Sequence, residues 1–435
     1  MAVSGITSVP GDVPEDNNYY TYSGGYGNDS TLGYTVPNYS FVICDATNGE
    51  PIDELVLPTS VSYTYLLNKP GNFSCSVPKY SLMPDGNQRT DYKTLYPATL
   101  ALYVKRNGVV IWGGIVWTLN GSSSSPVVEL TAIGWWEYFR HLRIGTVEIA
   151  AQTATQAIPV VMNAIATGSP YRNVNYSWGM RGDSGTTTDF RVKASDYSFA
   201  ANALESLMNT AARFDVSMLY DDTGTNITPN FMFTIPYINN NRLNALEYLV
   251  SPSGEGVGNT SSYTLAFEGD KIANVVTGLG TDQNVYPIPS AYIADYIAEK
   301  YGTLVWPNPD VNAPTAYYSG ISAPYPSIRP KSTIQQIPIY ESVYRRSELI
   351  SELALDAATD RHTRVMSQPP VKVKFEVVPG SLSPTFVSPG DTVRCHIDDG
   401  FFQLDEELRC SQVSVKLGED YTEQISIDLA PSDIF

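Results

Sequence analysis

The stretch that most constrains the fold is a strand, a tight turn and a second strand between Thr99 and Leu119. Apolar residues occupy every second position from Leu100 to Val104, which is the period-2 pattern of a half-buried strand. Asn107-Gly108 follows, and both residue types tolerate the positive φ angles of a two-residue type I′ turn. The sequence therefore predicts a β-hairpin with its turn at these two residues.

The returning strand of this hairpin, Val109 to Leu119, carries a pair of glycines. It is apolar almost without a break and rich in β-branched and aromatic residues. Gly113-Gly114 stands in its middle, where we expect a bulge or a sharp bend. A long hairpin bent in one arm is typical of a strand that turns the corner of a small barrel, so we interpret it as the spine of a β-barrel domain.

Strand and turn patterns continue on both sides of the hairpin and predict a first β-barrel domain over residues 38–145. Further strands are predicted at residues 41–45, 60–67, 73–77 and 127–133. The segment ends on a group of bulky aromatic residues, Trp135, Trp136, Tyr138 and Phe139. These residues have two interpretations: a cap on the barrel core, or a platform on which a sugar or a base stacks.

The hydrophobic period then changes from two to about 3.6 and predicts an α/β domain over residues 146–264. One helix is predicted at residues 155–166, with Pro159 inside it or at its start. A second is predicted at residues 198–214, capped by Ser195 or Asp196. Strands at residues 216–220 and 230–235 follow the second helix.

The remaining chain returns to strands and predicts a second barrel-like domain from residues 265–282 and 366–435. Residues 283–365 then form an insertion that carries a long helix, predicted over Tyr344 to Met366. At the other end, residues 1–37 are polar and rich in Gly, Tyr and Asn, which predicts either a flexible arm or an arm that orders on a neighbouring subunit. The predicted fold class is α+β and β-rich, with two small β-barrel-like domains separated by α/β and helical segments.

Charge excludes one broad class of function. The chain has 45 acidic and 27 basic residues, which gives a formal net charge of -18. Binding to nucleic acid as the main task needs a basic face that neutralises phosphates. The acidic balance argues against that task and is compatible with a surface that repels phosphate.

Residues with the right types for catalysis or metal binding do not form a recognisable pattern. No HExxH or GxSxG motif occurs, and Cys395 and His396, being adjacent on a predicted strand, point to opposite faces. The aspartate pairs 221–222 and 398–399 are interpreted as turn residues. The sequence therefore predicts no catalytic, cofactor-binding or metal-binding residues and no cofactor.

The cysteines do not follow a zinc-site pattern, and the apolar runs do not follow a membrane-segment pattern. We expect buried free thiols rather than a zinc site, because no CxxC pair is present, and the sequence leaves a disulfide open; the cysteines are Cys44, Cys75, Cys395 and Cys410. Neither a signal peptide nor an apolar run of membrane-spanning length occurs, so no stable membrane insertion is expected.

Several stretches taken together resemble the minor tail proteins of siphophages, especially those that infect actinobacteria. They are SYTYLLNKPGNFSCSVP, TLALYVKRNGVVIWGGIVWTL and LTAIGWWEYFRHLRI in the first half, and ELISELALDAATDRHTRV and VSPGDTVRCHIDDG in the second. The resemblance covers most of residues 40–435, and the hairpin with its flanking strands is its most specific part.

The resemblance implies a baseplate-hub architecture at the tip of a long phage tail. In that architecture two barrel-like and two α/β domains alternate, and a homotrimer forms a ring of six barrels that continues the tail tube. The expected protein is then a non-enzymatic virion component of the tail tip, assembled in the host cytoplasm and involved in tail assembly, host attachment and DNA ejection. Its expected partners are the distal tail protein, the tape measure protein and other tail-tip proteins, with genomic DNA passing through without specific binding.

Two other functions remain open on the sequence. One is a receptor-binding or carbohydrate-binding tail-tip protein that uses surface aromatic residues. The other is a cell-wall hydrolase. Because the sequence ends just past the second predicted barrel, we expect no lytic extension.

Overall fold

The structure is a computed structural model of the 435-residue chain. It describes residues 36–80, 95–170, 172–196, 198–209, 213–238, 241–250, 256–267, 269, 275–279, 317–319, 341–345 and 371–431.

Seven antiparallel strands form the first strand set. They are β1 (Tyr39–Asp45), β2 (Pro51–Glu54), β3 (Thr59–Leu66), β4 (Asn72–Pro78), β5 (Leu100–Arg106), β6 (Val109–Gly121) and β7 (Val127–Gly134). Their order in the sheet is β3-β4-β7-β6-β5-β1-β2. A 3₁₀ helix, Trp135–Arg140, follows the last of them.

The predicted turn of the hairpin is confirmed. Lys105 pairs with Val110 and Arg106 with Val109, which leaves Asn107 and Gly108 as the two turn residues. Their φ angles are 50° and 81°, both in the left-handed region that a type I′ turn requires.

Of the two alternatives predicted at the glycine pair, the bulge is wrong, because the register with β5 stays regular there, and the bend stays a prediction. Gly113 pairs with Tyr103 and Gly114 with Leu102, and the irregularity lies closer to the turn, between Val104 and Lys105. The glycines provide space instead. A Cβ at Gly113 would lie 2.4 Å from the Tyr103 ring, so the missing side chain is what lets that ring pack on the strand.

The middle of the chain combines helices with two small sheets. Its elements are β8 (Val147–Thr153), α1 (Ala154–Gly168), β9 (Ser177–Arg181), β10 (Thr187–Val192), α2 (Ala200–Met208), β11 (Asp215–Asp222) and β12 (Ile227–Thr234). β8 pairs with β10, while β11, β12 and β9 form a three-stranded sheet.

The first predicted helix is confirmed and the second is shorter than predicted. α1 includes Pro159, as the sequence indicates, and the side chain of Gln156 accepts a hydrogen bond from the Thr153 amide at its start, 3.1 Å. α2 begins after Phe199, which makes no side-chain cap hydrogen bond, so the predicted cap at Ser195 or Asp196 is wrong. The stretch at 194–196 forms a separate 3₁₀ turn, which places both residues too early to cap α2.

The described residues of the last part of the chain form ten strands. They are β13 (Asn241–Val250), β14 (Gly256–Val257), β15 (Thr260–Phe267), β16 (Val275–Leu279), β17 (Tyr317–Ser319), β18 (Glu341–Arg345), β19 (Val371–Val377), β20 (Thr392–Asp398), β21 (Gln403–Leu417) and β22 (Glu423–Ala430). β13 pairs with β20 in parallel, β15 pairs with β19, and β22 pairs with both β19 and β21. The second strand set consists of β13–β15 and β19–β22, so it includes strands from residue 241 onward.

Two predictions in this part need correction. β16 does not pair with the second strand set; it forms a separate sheet with β17 and β18, because its partners come from the predicted insertion. Tyr344 and Arg345, predicted to begin the long helix, lie in β18. The rest of that predicted helix lies outside the described residues.

The two strand sets are hydrogen-bonded to each other. β21 is 15 residues long; its first half pairs with β20, and residues 412–416 pair with Leu66 to Ser62 of β3. We call this pairing of β3 with β21 the seam. Through it, strands from both sets share one 14-stranded sheet. The predicted β-rich α+β class, with two strand sets separated in the sequence by helical and α/β segments, is confirmed.

Two hydrophobic cores lie on opposite faces of the first strand set. Leu102 and Val104 of β5 belong to a core shared with the second strand set, which includes Phe375 and Val415. Ala101 and Tyr103 of the same strand belong to the other core, built with α1, α2 and β12. β5 is therefore buried on both faces rather than half-buried, because the middle segment covers its second face.

Candidate functional site

A buried ion pair joins three parts of the chain. Asp215 begins β11, Arg409 lies within β21, and both side chains are almost completely buried, at 3% and 0% exposure. The Nη2 group of Arg409 donates a hydrogen bond to Asp215 Oδ2. This oxygen also accepts a hydrogen bond from the Ile238 amide at 2.8 Å. Asp215 Oδ1 accepts from Asn68 Nδ2 at 2.9 Å, just after β3. We call these four residues the Asp215 cluster.

The Asp215 cluster makes further contacts that fix the Arg409 side chain. Arg409 Nε also donates to the Gly390 carbonyl at 3.2 Å, and its guanidinium lies 5.3 Å from the centre of the Tyr237 ring. Burial lowers the pKa of Arg409 and the charge of Asp215 opposes that shift, but an arginine stays protonated in proteins. A carboxylate held by three donors and shielded from water is suited to fixing geometry, not to proton transfer.

A second buried carboxylate lies at the other end of the seam. Glu423, at the start of β22, is 2% exposed and accepts from Arg106 Nε at 2.7 Å and from Arg106 Nη2 at 3.3 Å. The Tyr39 hydroxyl donates to the same carboxylate and lies 3.0 Å from the Tyr63 hydroxyl. Burial of Tyr39, the charge of Glu423 and the hydrogen bond to Glu423 raise the pKa of Tyr39 well above its ordinary value. We call these four residues the Glu423 cluster.

Neither cluster is predictable from the sequence alone. Arg409 is one of the few basic residues in a long strand, and Asp215 opens an apolar one, so each looks like an ordinary strand-end or solvent-facing charge. Only the pairing of distant strands shows that they lie inside. Alternation does not single them out either, because the positions two residues away are polar or charged: Arg213 and Ser217 for Asp215, and Glu407 and Ser411 for Arg409.

The cysteines are buried and chemically quiet. All four are free, as expected, and burial raises the pKa of Cys44, Cys75 and Cys395 to about 12 and that of Cys410 further. Since the thiolate is the reactive form, none of them is set up as a nucleophile. Cys395 is buried while His396 is on the opposite, partly exposed face of β20. Among the described residues, no group of three potential ligands is placed to hold a metal ion.

The prediction that the aspartate pairs are turn residues holds only for Asp399, since Asp221 and Asp222 are the last residues of β11 and Asp398 is the last residue of β20, each next to a turn. Asp222 is partly buried, which raises its pKa, but a 2.6 Å ion pair with Lys105 and the Gly224 amide outweigh this and lower it. Asp399 Oδ1 accepts from the amides of Phe401 and Phe402, and the Tyr263 hydroxyl donates to its other oxygen. These bonds, the one from Tyr263 first, lower the pKa of Asp399. Both carboxylates hold turns in place.

The aromatic group after β7 is part of a core. Trp135, Trp136 and Phe139 are at most 2% exposed, and Phe139 lies 4.5 Å from the ring of Phe231 in β12. Trp136 donates through Nε1 to Glu205 of α2 at 3.2 Å. These rings cap the core beneath the helices, so their faces are not available to stack a sugar or a base. In the part of the chain that the structure describes, no helix has the length and apolarity needed to cross a bilayer.

Comparison with known proteins identifies the fold. No protein-family model matches the sequence, and a search of curated proteins finds no match. Three solved structures align along nearly the whole chain. The 43 kDa tail protein of prophage MuSo2 from Shewanella oneidensis has a TM-score of 0.52 and 13% identity, and the alignment covers 91% of this chain and 99% of that one. A tail protein from Neisseria meningitidis MC58 has a TM-score of 0.52 and 12% identity, with 91% and 98% covered.

The third is the prophage tail protein gp18 from Listeria monocytogenes EGD-e, with a TM-score of 0.50, 11% identity, and 90% of this chain and 94% of that one covered. At these identities the likeness is one of fold. The chain thus has the fold of phage tail proteins over almost its full length.

Proposed function

We propose that this protein is a structural component of a phage tail tip: a homotrimeric hub that joins the tail tube to the tip and surrounds the DNA exit channel. The observation that carries the proposal is the likeness of fold to three tail proteins, each covered almost from end to end. The resemblance of the hairpin region to siphophage minor tail proteins supports the finer assignment to the siphophage type.

The internal construction of the chain fits a mechanical role. Two strand sets share one sheet, and the seam between them is bracketed by the two buried clusters. A wall that is hydrogen-bonded throughout transmits force without a flexible joint. The partners of such a hub would be the distal tail protein, the tape measure protein and other tail-tip proteins, and it would take part in assembly, host attachment and DNA ejection.

The proposed protein is not an enzyme. The chemically suggestive residues of the described part are accounted for as turn residues, core thiols and buried ion pairs. The alternative of a carbohydrate or receptor binder would have to use other aromatic residues, because Trp135, Trp136 and Phe139 are buried. Incubation of the purified protein with host cell wall, followed by analysis of released fragments, should yield none above a buffer control.

Oligomeric state is the direct test of the hub. One chain has a mass of 47.7 kDa, so a homotrimer has a mass of about 143 kDa. Sedimentation velocity of the full chain at micromolar concentration should show the trimer, and electron microscopy should show a threefold ring with a central opening. A chain that stays monomeric at all concentrations, both alone and with its tail partners, would overturn the hub assignment.

We further propose that the inner surface of the ring carries more Asp and Glu than Lys and Arg. The net charge of -18 supplies the excess, and a fixed negative wall repels phosphates where a basic wall would bind them through counterion release. Repulsion reaches only about 8 Å at physiological ionic strength, so the acidic residues have to face the lumen. The purified ring should not retain duplex DNA at 50 mM salt in a gel-shift assay; retention that weakens steeply with added salt would contradict this proposal.

A further inference from the structure

A groove of about 300 Å³ lies where the described chain begins. Its walls are mainly apolar, with two carboxylate residues at the rim; they include Val36, Pro37, Leu57, Tyr421, Glu54 and Asp420. Leu57 is 71% exposed and Val36 is 41% exposed. The volume is at the lower end of the range for ligand pockets, which suits one or two side chains of a peptide better than a large cofactor.

The rim of the groove is held in an unusual backbone conformation. Leu57 and Tyr421 have positive φ angles of 49° and 61°, and Ser60, the second residue of β3, has 53°. Residues other than glycine rarely adopt this region, and such strain concentrates at binding sites. The Tyr421 hydroxyl donates to the Pro58 carbonyl at 3.1 Å, so the two strained loops are tied to each other across one side of the groove.

An edge strand adjoins the groove. β2 ends at Glu54, a lining residue, and among the described strands it pairs only with β1, at one end of the sheet order. The Glu54 amide already donates to the Asp53 carboxylate at 2.8 Å, and Ile52 is 46% exposed. The backbone of Ile52 is therefore the part of this edge that an extended peptide can use, and the pocket beside it can receive one of the peptide's side chains.

We propose that this groove and strand edge bind the tyrosine-rich segment 17–35 of a second copy of the chain. The proposal rests on the self-association in the proposed function and names the contact that one copy makes to the next. Thirty-five residues precede Val36, and a fully extended chain spans about 3.3–3.6 Å per residue, so a neighbouring copy is within reach.

The composition of the segment matches the groove. Residues 17–28 read NNYYTYSGGYGN and carry no charge, so they can approach Glu54 and Asp420 without repulsion. A tyrosine ring has an apolar body for the walls and a hydroxyl that can donate to a rim carboxylate. A second copy is favoured over the same chain because the proposed function brings copies of the chain together.

Cross-linking between copies tests the contact directly. The native cysteines are at most 3% exposed, so an added surface thiol is the reactive one. A full-length chain with Leu57→Cys is co-expressed with a differently tagged chain with Tyr22→Cys, and the complex is treated with a short bismaleimide. We expect a covalent heterodimer at least tenfold more abundant than in a control that pairs Tyr22→Cys with Phe401→Cys. Phe401 is an apolar residue on another turn and is more exposed than Leu57, at 84% against 71%, so its accessibility does not limit the control.

Equal yields for the two pairings would overturn the proposal. So would cross-linking confined to single chains in a Leu57→Cys/Tyr22→Cys double variant, which would place the segment on its own copy. Sedimentation of the same samples separates this failure from failure of the hub. A trimer without the specific cross-link leaves the hub standing, whereas a monomeric full chain removes both.

A second variant tests the groove without new thiols. Leu57→Asp adds a third carboxylate to the rim and should shift the trimer towards monomer by at least tenfold in association constant, while Phe401→Asp should not. Trimers of unchanged affinity in Leu57→Asp would contradict the proposal.

Discussion

Removal of the Asp215 carboxylate should be among the most damaging single changes in the molecule. In Asp215→Ala, Arg409 stays buried without the charge that neutralises it, and the Asn68 side chain and the Ile238 amide lose their acceptor. Breaking a buried ion pair by removing one member costs about 3–5 kcal/mol. The expectation rests on burial, since both side chains are at most 3% exposed.

This cost translates into a measurable shift of the melting temperature. Unfolding entropy is about 2.1 cal/mol/K per residue near 60 °C, so a cooperative unit of about 400 residues has about 0.8 kcal/mol/K. A loss of about 3–5 kcal/mol then lowers Tm by about 4–6 °C. Far-UV circular dichroism and tyrosine and tryptophan fluorescence, recorded on the same samples, should report the same shift.

The chain contains a matched control. Asp405 receives two 2.7 Å hydrogen bonds from Arg394, but these side chains are 50% and 54% exposed. Asp405→Ala removes the same group from a pair of ideal geometry, yet water replaces the lost partner, so Tm should stay at the wild-type value. A double variant, Asp215→Ala with Arg409→Met, should recover part of the loss, because no uncompensated charge remains. If Asp215→Ala and Asp405→Ala melt together within 1 °C, the assignment of the Asp215 cluster as a tie between parts of the chain is wrong.

Four further tests concern the packing and the electrostatics. Gly113→Ala should lower Tm by several degrees, because its Cβ would lie 2.4 Å from the Tyr103 ring and 2.8 Å from the Tyr220 ring; an unchanged Tm would refute this steric role. Gly108→Val should cost about 1–2 kcal/mol through its φ of 81° alone, since nothing lies within 4 Å of a Cβ there, and Gly108→Asn should cost less; equal losses would show that φ is not the cause. Ellman's reagent at pH 8 should find no reactive thiol in the folded protein and four in urea, and a fast native reaction would contradict the burial of the cysteines. Burial raises the pKa of three thiols from 9.0 to about 12, so their contribution to the unfolding free energy is fully present below pH 9. Between pH 9 and 12 each of these thiols should lower the unfolding free energy by about 1.4 kcal/mol per pH unit. Urea titration at several pH values can follow this loss.

Local patterns in the sequence predicted local structure well. The Asn107-Gly108 turn is a two-residue event whose chemistry lies entirely in those residues, and the pairing of Lys105 with Val110 follows from it. α1 was equally local, since its apolar face repeats every three to four residues whatever packs on it. The N-terminus of α2 was less predictable, because the position of its N-cap depends on a preceding 3₁₀ turn.

Features set by distant partners could not be read in this way. Ala101 and Tyr103 fit a solvent-facing row of a strand as well as a buried one, and only the helices packed above them decide the matter. Gly113 looks like a bulge residue until Tyr103 is seen to lie over it. The same limit applies to Asp215 and Arg409, which are 194 residues apart and meet only because β21 joins both strand sets.

The positions of the two buried clusters suggest why charges were placed inside this protein. The seam pairs residues 412–416 with 62–66, two short segments from opposite ends of the chain. Slipping this pairing by one residue would turn every side chain of the seam to the other face. The Asp215 cluster lies at one end, where Asn68 follows β3, and the Glu423 cluster lies at the other, where Tyr63 opposes Val415. A slipped register would pull both carboxylates away from their donors, whereas apolar contacts would tolerate it.

We therefore expect the clusters to specify register more than they add stability. Replacing Glu423 and Arg106 together by leucine should leave Tm within a few degrees, since a buried pair and an apolar pair of similar size are often close in stability. Hydrogen exchange measured by mass spectrometry should then show two populations for the peptide that contains β3, with a single population in the wild type. The Asp405→Ala variant is again the control, because it breaks an exposed ion pair that lies outside the residues of the seam. A single, wild-type exchange pattern in the leucine double variant would show that the hydrophobic pattern alone sets the register.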